Sequence, residues 1–275
     1  MSRLLSAVHL TAIDLAPPAF IAAAKEAGFD AVGLRLRPVV HTAPFYPLMD
    51  DPAQMRETLA TLKDTGIIVH DIEFVRVEPD LDVAGLAPLL DAGAELGARE
   101  LVVAPYDKDP ARLADTLGRM ADLADTRGIG ISIEFFPWAE VTNLAGALAL
   151  AEQAGPRVGV LADSLHFDRT DSTLEDLRSA APERLRFAHL CDAPVNPPYH
   201  PDDLLHISRS ERMPPGEGQI DLQAFLDALP EGIPLGIEVP MATRAAKTGS
   251  AETMKHVFEV TRRFLDTLKQ TTPAI

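Results

Sequence analysis

Cysteine and basic residues are both scarce in this chain. Cys191 is the only cysteine among 275 residues, so no disulfide can form within the chain. The 25 Lys and Arg residues are outnumbered by 41 Asp and Glu residues, which gives a net charge of −16 at pH 7. Because nucleic acids and anionic membrane surfaces are bound through basic patches, this balance argues against both as partners.

Long apolar runs and nucleotide-binding motifs are absent as well. No run approaches the roughly 18 apolar residues of a membrane span. The N-terminal apolar stretch is interrupted by His9 and Asp14, so we predict no signal peptide and a cytoplasmic protein. No G-x-G-x-x-G or P-loop motif is present, which argues against a doubly wound open sheet. The hydrophobic content of 47% is sufficient for a sizeable core.

Short β-like runs alternate with helical patterns along the whole chain. The predicted strands are Leu4–Leu10, Ala31–Arg37, Ile67–Val77, Glu100–Tyr106, Ile131–Trp138, two runs within 158–193, and Pro234–Pro240. Strands separated by helices pair in parallel, and eight such units in about 250 residues match the size of a closed barrel. We therefore predict a single (β/α)8 TIM barrel over residues 1–275, with an open doubly wound sheet as the rival fold.

The stretch from Val158 to Ala193 contains two apolar strand patterns that each end in polar, metal-competent groups. Asp163 and His166 close the first pattern, and His189 and Asp192 close the second. Burying a carboxylate beside an imidazole without partners is costly, so the pattern predicts one shared site at one end of the fold. The alternative is a pair of helix N-caps and satisfied core histidines.

Two further carboxylates fall at the ends of predicted strands, where such barrels carry their functional groups. Glu134 interrupts the buried run ISIEFFPW, and Glu238 follows PLGI. Four consecutive strands then deliver Glu134, Asp163, His189 and Glu238 to the same end. Three carboxylates and one imidazole suit one divalent ion, with Mn²⁺, Mg²⁺ or Co²⁺ favoured and Zn²⁺ also compatible. The alternative is a set of strand-end caps and salt bridges.

Together these fragments resemble the xylose isomerase-like TIM barrels, also called sugar phosphate isomerase/epimerases. The resemblance covers essentially the whole chain. It rests on IEFFPW at Glu134, LADSLHF at Asp163, FAHLCDAP at His189, IEVP at Glu238 and RMPPGEGQIDL at 212–222. It implies that the first four of these residues bind one divalent metal and that the partner is a small polyhydroxylated substrate.

The resemblance also implies roles beyond the metal. His166 would face the substrate as a catalytic group, and Arg212 stands where many members place an arginine that binds substrate oxygens. Glu140 matches a substrate-contacting glutamate of the ketose 3-epimerase branch, although Pro137 and Trp138 intervene and change the loop.

Such a site would remove a C–H proton next to a carbonyl group. A divalent ion on the carbonyl and the neighbouring hydroxyl stabilises the resulting enediolate, and a carboxylate on each face takes and returns the proton. In the epimerase branch, the residues that match Glu134 and Glu238 do this. We therefore predict an isomerase or epimerase of a sugar, keto-sugar or inosose-like polyol.

Three alternatives stay open at this point. The same intermediate could expel a β-hydroxyl, as in a lyase similar to 3-dehydroshikimate dehydratase. A phosphodiesterase similar to endonuclease IV would need more metal ions, more histidine ligands and a basic surface. A barrel that binds a metabolite without turning it over would not need the four predicted ligands to converge.

Other residues near strand ends have two interpretations each. His9 could line the pocket floor and bind substrate or be a satisfied core histidine, and Trp138 could form a substrate-binding wall or pack in the core. Asp192 could hold a ligand imidazole in place. Arg35 and Arg37 are candidates for an ion pair with Glu73 that either supports the barrel or binds substrate.

Two Pro-rich segments, Phe45–Asp51 and Pro194–Gly218, are predicted to cover the pocket as loops. Long loops in compact domains are usually functional or disordered, and the motif-like end of the second favours function. An apolar patch on these loops or on the last helix, Ala251–Lys269, could pair subunits in a homo-oligomer.

Overall fold

The computed structural model describes residues 3–40 and 42–271. Eight strands pair in parallel in sequence order, and β8 pairs with β1 to close a barrel. The strands are β1 (Leu5–Val8), β2 (Ala31–Arg35), β3 (Ile68–Val77), β4 (Glu100–Pro105), β5 (Gly130–Glu134), β6 (Val158–Asp163), β7 (Leu185–Leu190) and β8 (Leu235–Ile237). The predicted (β/α)8 barrel is confirmed.

Helices connect the strands and form the outer layer. They are α1 (Pro17–Ala27), α2 (Pro52–Thr65), α3 (Ala87–Leu96), α4 (Pro110–Asp125), α5 (Leu144–Ala154), α6 (Ser164–Asp168), α7 (Leu174–Ser179), α8 (Pro201–Ser210), α9 (Leu222–Ala228), α10 (Ala242–Thr248) and α11 (Ser250–Thr271). Within residues 3–40 and 42–271, no helix combines the length and the apolar composition needed to cross a membrane.

The helix ends follow the local sequence. Asp51 and Asp109 each precede a helix that starts with proline, and their carboxylates accept backbone N–H groups of the first turn. Gly66 and Gly97 end α2 and α3 with φ angles of 70° and 77°, a left-handed conformation that glycine adopts without steric penalty. These start and stop signals produce the strand–helix rhythm.

The strands are buried on both faces, because helices cover the outside of the barrel and side chains fill the inside. Every residue of β2, β4 and β6 is buried. A small apolar cluster that includes Phe74, Leu161 and Phe187 is separate from the main core. The Phe187 ring meets the His189 ring edge-on at 5.5 Å between centroids, so this cluster supports a site residue.

Two predicted segments differ from the structure. The predicted strand Ile131–Trp138 is too long, because β5 ends at Glu134 and the following apolar residues belong to a loop. The segment Pro194–Gly218 is not a loop throughout, since it contains α8. This helix begins after His200, whose side chain accepts a backbone N–H, and has Pro201 at its first position.

Candidate metal centre and cavity

Four side chains converge at the carboxyl end of the barrel. Glu134 and Asp163 are the last residues of β5 and β6, His189 lies one residue before the end of β7, and Glu238 directly follows β8. All four are buried, and one candidate ligand atom from each lies within 4.8 Å of the others. We call these residues the ligand quartet; they are the four that the sequence singles out, and they could hold a metal ion.

The surroundings of His189 fit a divalent ion. Its Nδ1 atom lies 3.9 Å from Glu134 Oε1, 3.8 Å from Asp163 Oδ2 and 3.6 Å from Glu238 Oε2. These separations exceed hydrogen-bond lengths, and neither ring nitrogen has a hydrogen-bond partner among the described residues. Ligands about 2.1 Å from a common ion at tetrahedral angles stand roughly 3.4 Å apart, close to the observed spacing.

Space for the His189 ring depends on Gly236, its register partner on β8. A Cβ atom at Gly236 would lie 2.6 Å from His189 Cδ2 and 2.9 Å from Val8 Cγ2. A larger residue would therefore displace the imidazole from the quartet.

Asp163 has two roles, one for each oxygen. Oδ1 accepts the backbone N–H groups of Leu165 and His166 at 2.7 and 3.1 Å and so caps α6. Oδ2 accepts Arg212 Nη1 at 2.7 Å, and Nη2 of the same guanidinium lies 2.7 Å from Glu238 Oε2. The N-cap interpretation is therefore correct for Asp163, yet it does not remove this residue from the quartet.

Arg212 compensates part of the negative charge of the quartet. Its side chain is 2% exposed, and Nε donates to the carbonyl oxygen of Ser208 at 2.9 Å. All three guanidinium nitrogens thus face protein acceptors in this structure. Binding of substrate oxygens by Arg212 stays a prediction.

Burial and neighbouring charges shift the pKa values of the quartet in different directions. Burial and the charge of Glu238 raise the pKa of Glu134 to about 8. Burial would also raise the pKa of Glu238, but Arg212 and His189 hold it well below its usual range. Burial opposes the charged form of His189, but the three carboxylates outweigh it and raise its pKa to about 9. Since a metal binds only neutral imidazole, metal uptake here would release a proton.

A cavity of about 240 Å³, open to solvent at its mouth, lies over the quartet. Glu134, Glu238, His166, Arg212 and Trp138 all contribute to its lining. Much of the remaining wall is apolar and includes Leu10, Ile13, Val39, Phe74 and Phe136. This volume is close to the lower end of the range for small-molecule sites.

His166 lies at the cavity wall beside the quartet. Its Nε2 is 4.0 Å from Glu134 Oε1, and its ring meets that of Trp138 edge-on at 5.4 Å between centroids. Burial lowers the pKa of His166 to about 4, so the ring is neutral at pH 7. A neutral imidazole in this position can donate a hydrogen bond to a substrate oxygen or accept one from it.

Two residues expected to bind substrate lie elsewhere. Glu140 is exposed and outside the cavity lining, and its backbone N–H donates to the Pro105 carbonyl. His9 is buried after β1, where Nε2 bonds the Leu15 carbonyl at 2.9 Å and Nδ1 accepts the Arg35 N–H at 3.1 Å. Because backbone groups satisfy both ring nitrogens, His9 is a core histidine and does not line the cavity.

The buried His9 ring leads to a prediction about acid stability. Burial lowers its folded-state pKa from 6.5 to about 4, and protonating Nδ1 would remove the acceptor for the Arg35 N–H. The stability contribution is therefore complete above pH 6.5 and is lost as the pH falls towards 4.

When the pH is lowered from about 7.5 to about 5, the unfolding free energy of wild type should fall by about 2 kcal/mol more than that of His9→Gln. Urea unfolding at both pH values measures this difference. His256→Gln, on the outer helix α11, serves as the control and should behave like wild type. Equal losses in wild type and His9→Gln would contradict the assignment.

Asp192 does not hold the imidazole of His189, contrary to the prediction. Its carboxylate accepts the backbone N–H groups of Gly216, Gly218 and Ile220 at 3.0, 2.9 and 3.0 Å. A Cβ atom at Gly218 would lie 2.3 Å from Asp192 Oδ1, so glycine is needed for this close approach. Asp192 instead organises the loop that follows α8.

The sequence predicts that residues 194–218 cover the pocket, but the helix α8 within them was not predicted. Ser208 and Arg209 on this helix line the cavity. The available signal was His200 before Pro201, followed by acidic residues in the first turn, which is typical of a helix N-terminus. The high proline content of residues 194–218 favoured the interpretation of this segment as a loop in spite of that signal.

An eight-stranded parallel barrel with a buried carboxylate–imidazole site at its carboxyl end belongs to the metal-competent (β/α)8 class. The sequence profile of the xylose isomerase-like TIM barrel family matches residues 21–262. The chain therefore belongs to the xylose isomerase-like TIM barrel family.

Curated relatives cover only part of the chain. Over 121 residues it is 31% identical to the inosose isomerase of Bacillus velezensis, a match to 43% of this chain and 41% of the relative. Over 168 residues it is 30% identical to the 3-dehydroshikimate dehydratase of Pseudomonas aeruginosa, a match to 57% of this chain and 26% of the relative. Both relatives are enzymes, and the chain spans less than half the length of either.

The fold comparison extends over the whole barrel. The crystal structure of the IolI protein with a bound zinc atom aligns with 99% of this chain and 100% of that chain, with a TM-score of 0.76. Sequence identity in this alignment is 17%, so the similarity shows the fold alone.

Proposed function

We propose that this chain is a divalent-metal-dependent isomerase or epimerase of a small polyhydroxylated ketone, such as a keto-sugar or an inosose. The observation that carries the proposal is the convergence of the buried ligand quartet beneath the cavity. The reaction would move a hydrogen from the carbon next to the carbonyl to the carbonyl carbon itself, or invert the configuration of the carbon next to the carbonyl. The partial match to an inosose isomerase supports this substrate class.

The ligand quartet would hold the metal ion. Its three carboxylates favour Mn²⁺, Mg²⁺ or Co²⁺, and its imidazole also suits Zn²⁺. When bound, such an ion stabilises the negative charge that develops on substrate oxygens as the C–H proton leaves.

Glu134 and Glu238 would move the proton. Both line the cavity, and they project from β5 and β8, three strands apart around the ring. A carboxylate on each side of a substrate carbon can remove the proton on one face and return it on the other. Arg212 fixes the position of Glu238 through their 2.7 Å ion pair.

His166 and the apolar wall would complete the site. The neutral His166 ring can donate a proton to, or accept one from, the substrate oxygen next to the reacting carbon. Phe74, Phe136 and Trp138 restrict access of water to the proton during transfer.

A dehydratase is the second candidate, and Arg209 favours it. Arg209 lines the cavity and has no ion pair among the described residues, which suits a substrate with a carboxylate. The partial match to a 3-dehydroshikimate dehydratase supports such an acid. The first step would be the same, but loss of a β-hydroxyl would follow in place of reprotonation.

Proton NMR in D₂O separates the two reactions. Protein loaded with Mn²⁺, Mg²⁺, Co²⁺ or Zn²⁺ is incubated with inososes, ketoses and 3-dehydroshikimate, and substrate and product are recovered before their spectra are recorded. We expect solvent deuterium at the carbon next to the carbonyl in an isomerised or epimerised product. An aromatic product from 3-dehydroshikimate, formed by loss of one water, would identify the dehydratase instead. Absence of exchange and product with every metal would refute both proposals.

We also propose a compartment, a set of excluded partners and an oligomeric state for this protein. We propose that the protein works in the cytoplasm, and its charge of −16 argues against nucleic acid or an anionic membrane surface as a partner. Val40, Phe45 and Val195 are exposed apolar residues in or near the segments 45–51 and 194–218, and they support pairing of subunits in a homo-oligomer. Sedimentation velocity tests this last point.

A further inference from the structure

Arg35 and Glu73 form a buried ion pair in the cavity wall. Arg35 ends β2, Glu73 lies on β3, and the two residues are register partners in the sheet. Arg35 Nη2 donates to Glu73 Oε2 at 2.7 Å, and the side chains are 7% and 3% exposed. Both residues line the same cavity as the ligand quartet, yet neither belongs to the quartet.

Each side chain of this pair has one polar atom without a hydrogen-bond partner among the described residues. Within the described residues, Arg35 Nε and Glu73 Oε1 are buried and lack hydrogen-bond partners. Leaving a buried donor or acceptor unsatisfied is unfavourable, and more so for a charged group. Arg212 differs, because Nε, Nη1 and Nη2 all face acceptors there. The unsatisfied atoms of Arg35 and Glu73 therefore point to a ligand.

The pair lies across the barrel from part of the quartet. In a closed ring of eight strands, β2 and β3 stand opposite β6 and β7, which carry Asp163 and His189. A substrate held by the quartet at one end would extend towards Arg35 and Glu73 at the other. Its distal groups would then meet the pair.

The pair offers one N–H donor and one carboxylate acceptor, and these two groups together complement an alcohol. A hydroxyl group can donate to Glu73 Oε1 and accept from Arg35 Nε at the same time, whereas a methylene group can do neither. We propose that Arg35 and Glu73 form a hydroxyl-binding subsite that recognises an alcohol group of the substrate on the side of the cavity away from the quartet. The inference rests on the proposed function, since it assumes a polyhydroxylated ketone in this cavity.

Binding measurements test the subsite without turnover. Trp138 is the only tryptophan and lines the cavity, so its fluorescence reports occupancy. Protein with saturating Mg²⁺ is titrated with scyllo-inosose, D-fructose and 3-dehydroshikimate, and with 2-hydroxycyclohexanone. The last ligand keeps the carbonyl and its neighbouring hydroxyl but lacks distal alcohols. We expect wild type to bind at least one polyhydroxylated ketone at least about tenfold tighter than 2-hydroxycyclohexanone.

The informative variant is Arg35→Met/Glu73→Leu, which replaces the ion pair with an apolar pair. Such replacements are often neutral or stabilising, so the variant should fold and melt no lower than wild type. It should lose the preference for the polyhydroxylated ketone while binding 2-hydroxycyclohexanone as before. Glu73→Gln is the milder second variant. Its amide can present an N–H group where the substrate hydroxyl needs an acceptor, so the preference for the polyhydroxylated ketone should fall. Arg112→Met, which removes an arginine paired with Asp107 outside the cavity, should keep the preference.

Two results would overturn the subsite. One is a wild type that binds none of the polyhydroxylated ketones more tightly than 2-hydroxycyclohexanone. The other is a variant of the pair that folds and keeps the wild-type preference. If wild type shows this binding preference but no turnover in the D₂O experiment, the proposed reaction is contradicted and the proposed subsite is not.

Discussion

Glu238→Gln is expected to lower turnover by about 10⁴-fold, whichever of the two reactions the chain performs. The substitution conserves size but removes the charge that binds a dication and the base that accepts a proton. Glu238 also faces Arg212 and the Nδ1 atom of His189, so the change weakens the quartet at its centre. Turnover in the D₂O assay and the metal content of purified protein measure the two effects together.

Glu140→Gln is the matched control for this substitution. The family resemblance assigns Glu140 to substrate binding, but the structure places it on the exposed surface outside the cavity lining. It should therefore leave turnover and metal content within experimental error of wild type. Near-normal turnover of Glu238→Gln would contradict the proposed mechanism, and a large loss in Glu140→Gln would contradict the placement of that loop.

Arg212→Met should lower the unfolding free energy of the metal-free protein by about 3–5 kcal/mol. The guanidinium is buried between Asp163 and Glu238, at 2.7 Å from each, and methionine leaves both carboxylates without this counter-charge. Urea unfolding in the presence of a chelator measures the loss. Arg209→Met is the control, because Arg209 lines the same cavity but has no ion pair among the described residues. Its effect should stay within about 0.5 kcal/mol.

Metal addition distinguishes charge from packing as the cause of this loss. A dication in the quartet would supply positive charge next to the two orphaned carboxylates. Adding Mg²⁺ or Mn²⁺ should therefore raise the melting temperature of Arg212→Met more than that of wild type. An equal rise in melting temperature in both proteins would indicate that lost packing contacts, and not lost charge, destabilise the variant.

The sequence predicted the barrel because each strand and helix carries its own local signal. Apolar runs, helix-starting Asp–Pro pairs and helix-ending glycines recur through the chain, and the β/α order follows from them. The limits of the signal are clear at two points. Apolar Phe135 and Phe136 extend the predicted fifth strand into a loop, and the prolines of 194–218 concealed α8.

The ligand quartet could be anticipated because each member interrupts or ends an apolar strand. The surrounding contacts could not, because they depend on residues distant in sequence. The Arg35 backbone that satisfies His9 is 26 residues away, and the loop amides that engage Asp192 lie 24 to 28 residues away. Local patterns show that a polar group is buried, but only the assembled barrel shows which partner it finds.

The helix α8, which lines the cavity, and Arg212, which neutralises part of the charge of the quartet, belong to one chain segment. Arg212 follows the end of α8 by two residues, and its guanidinium is tied back to the carbonyl of Ser208 within that helix. Any outward swing of α8 that carries Arg212 along would leave Asp163 and Glu238 without their counter-charge. A cation would then bind more tightly in the open form than in the closed form.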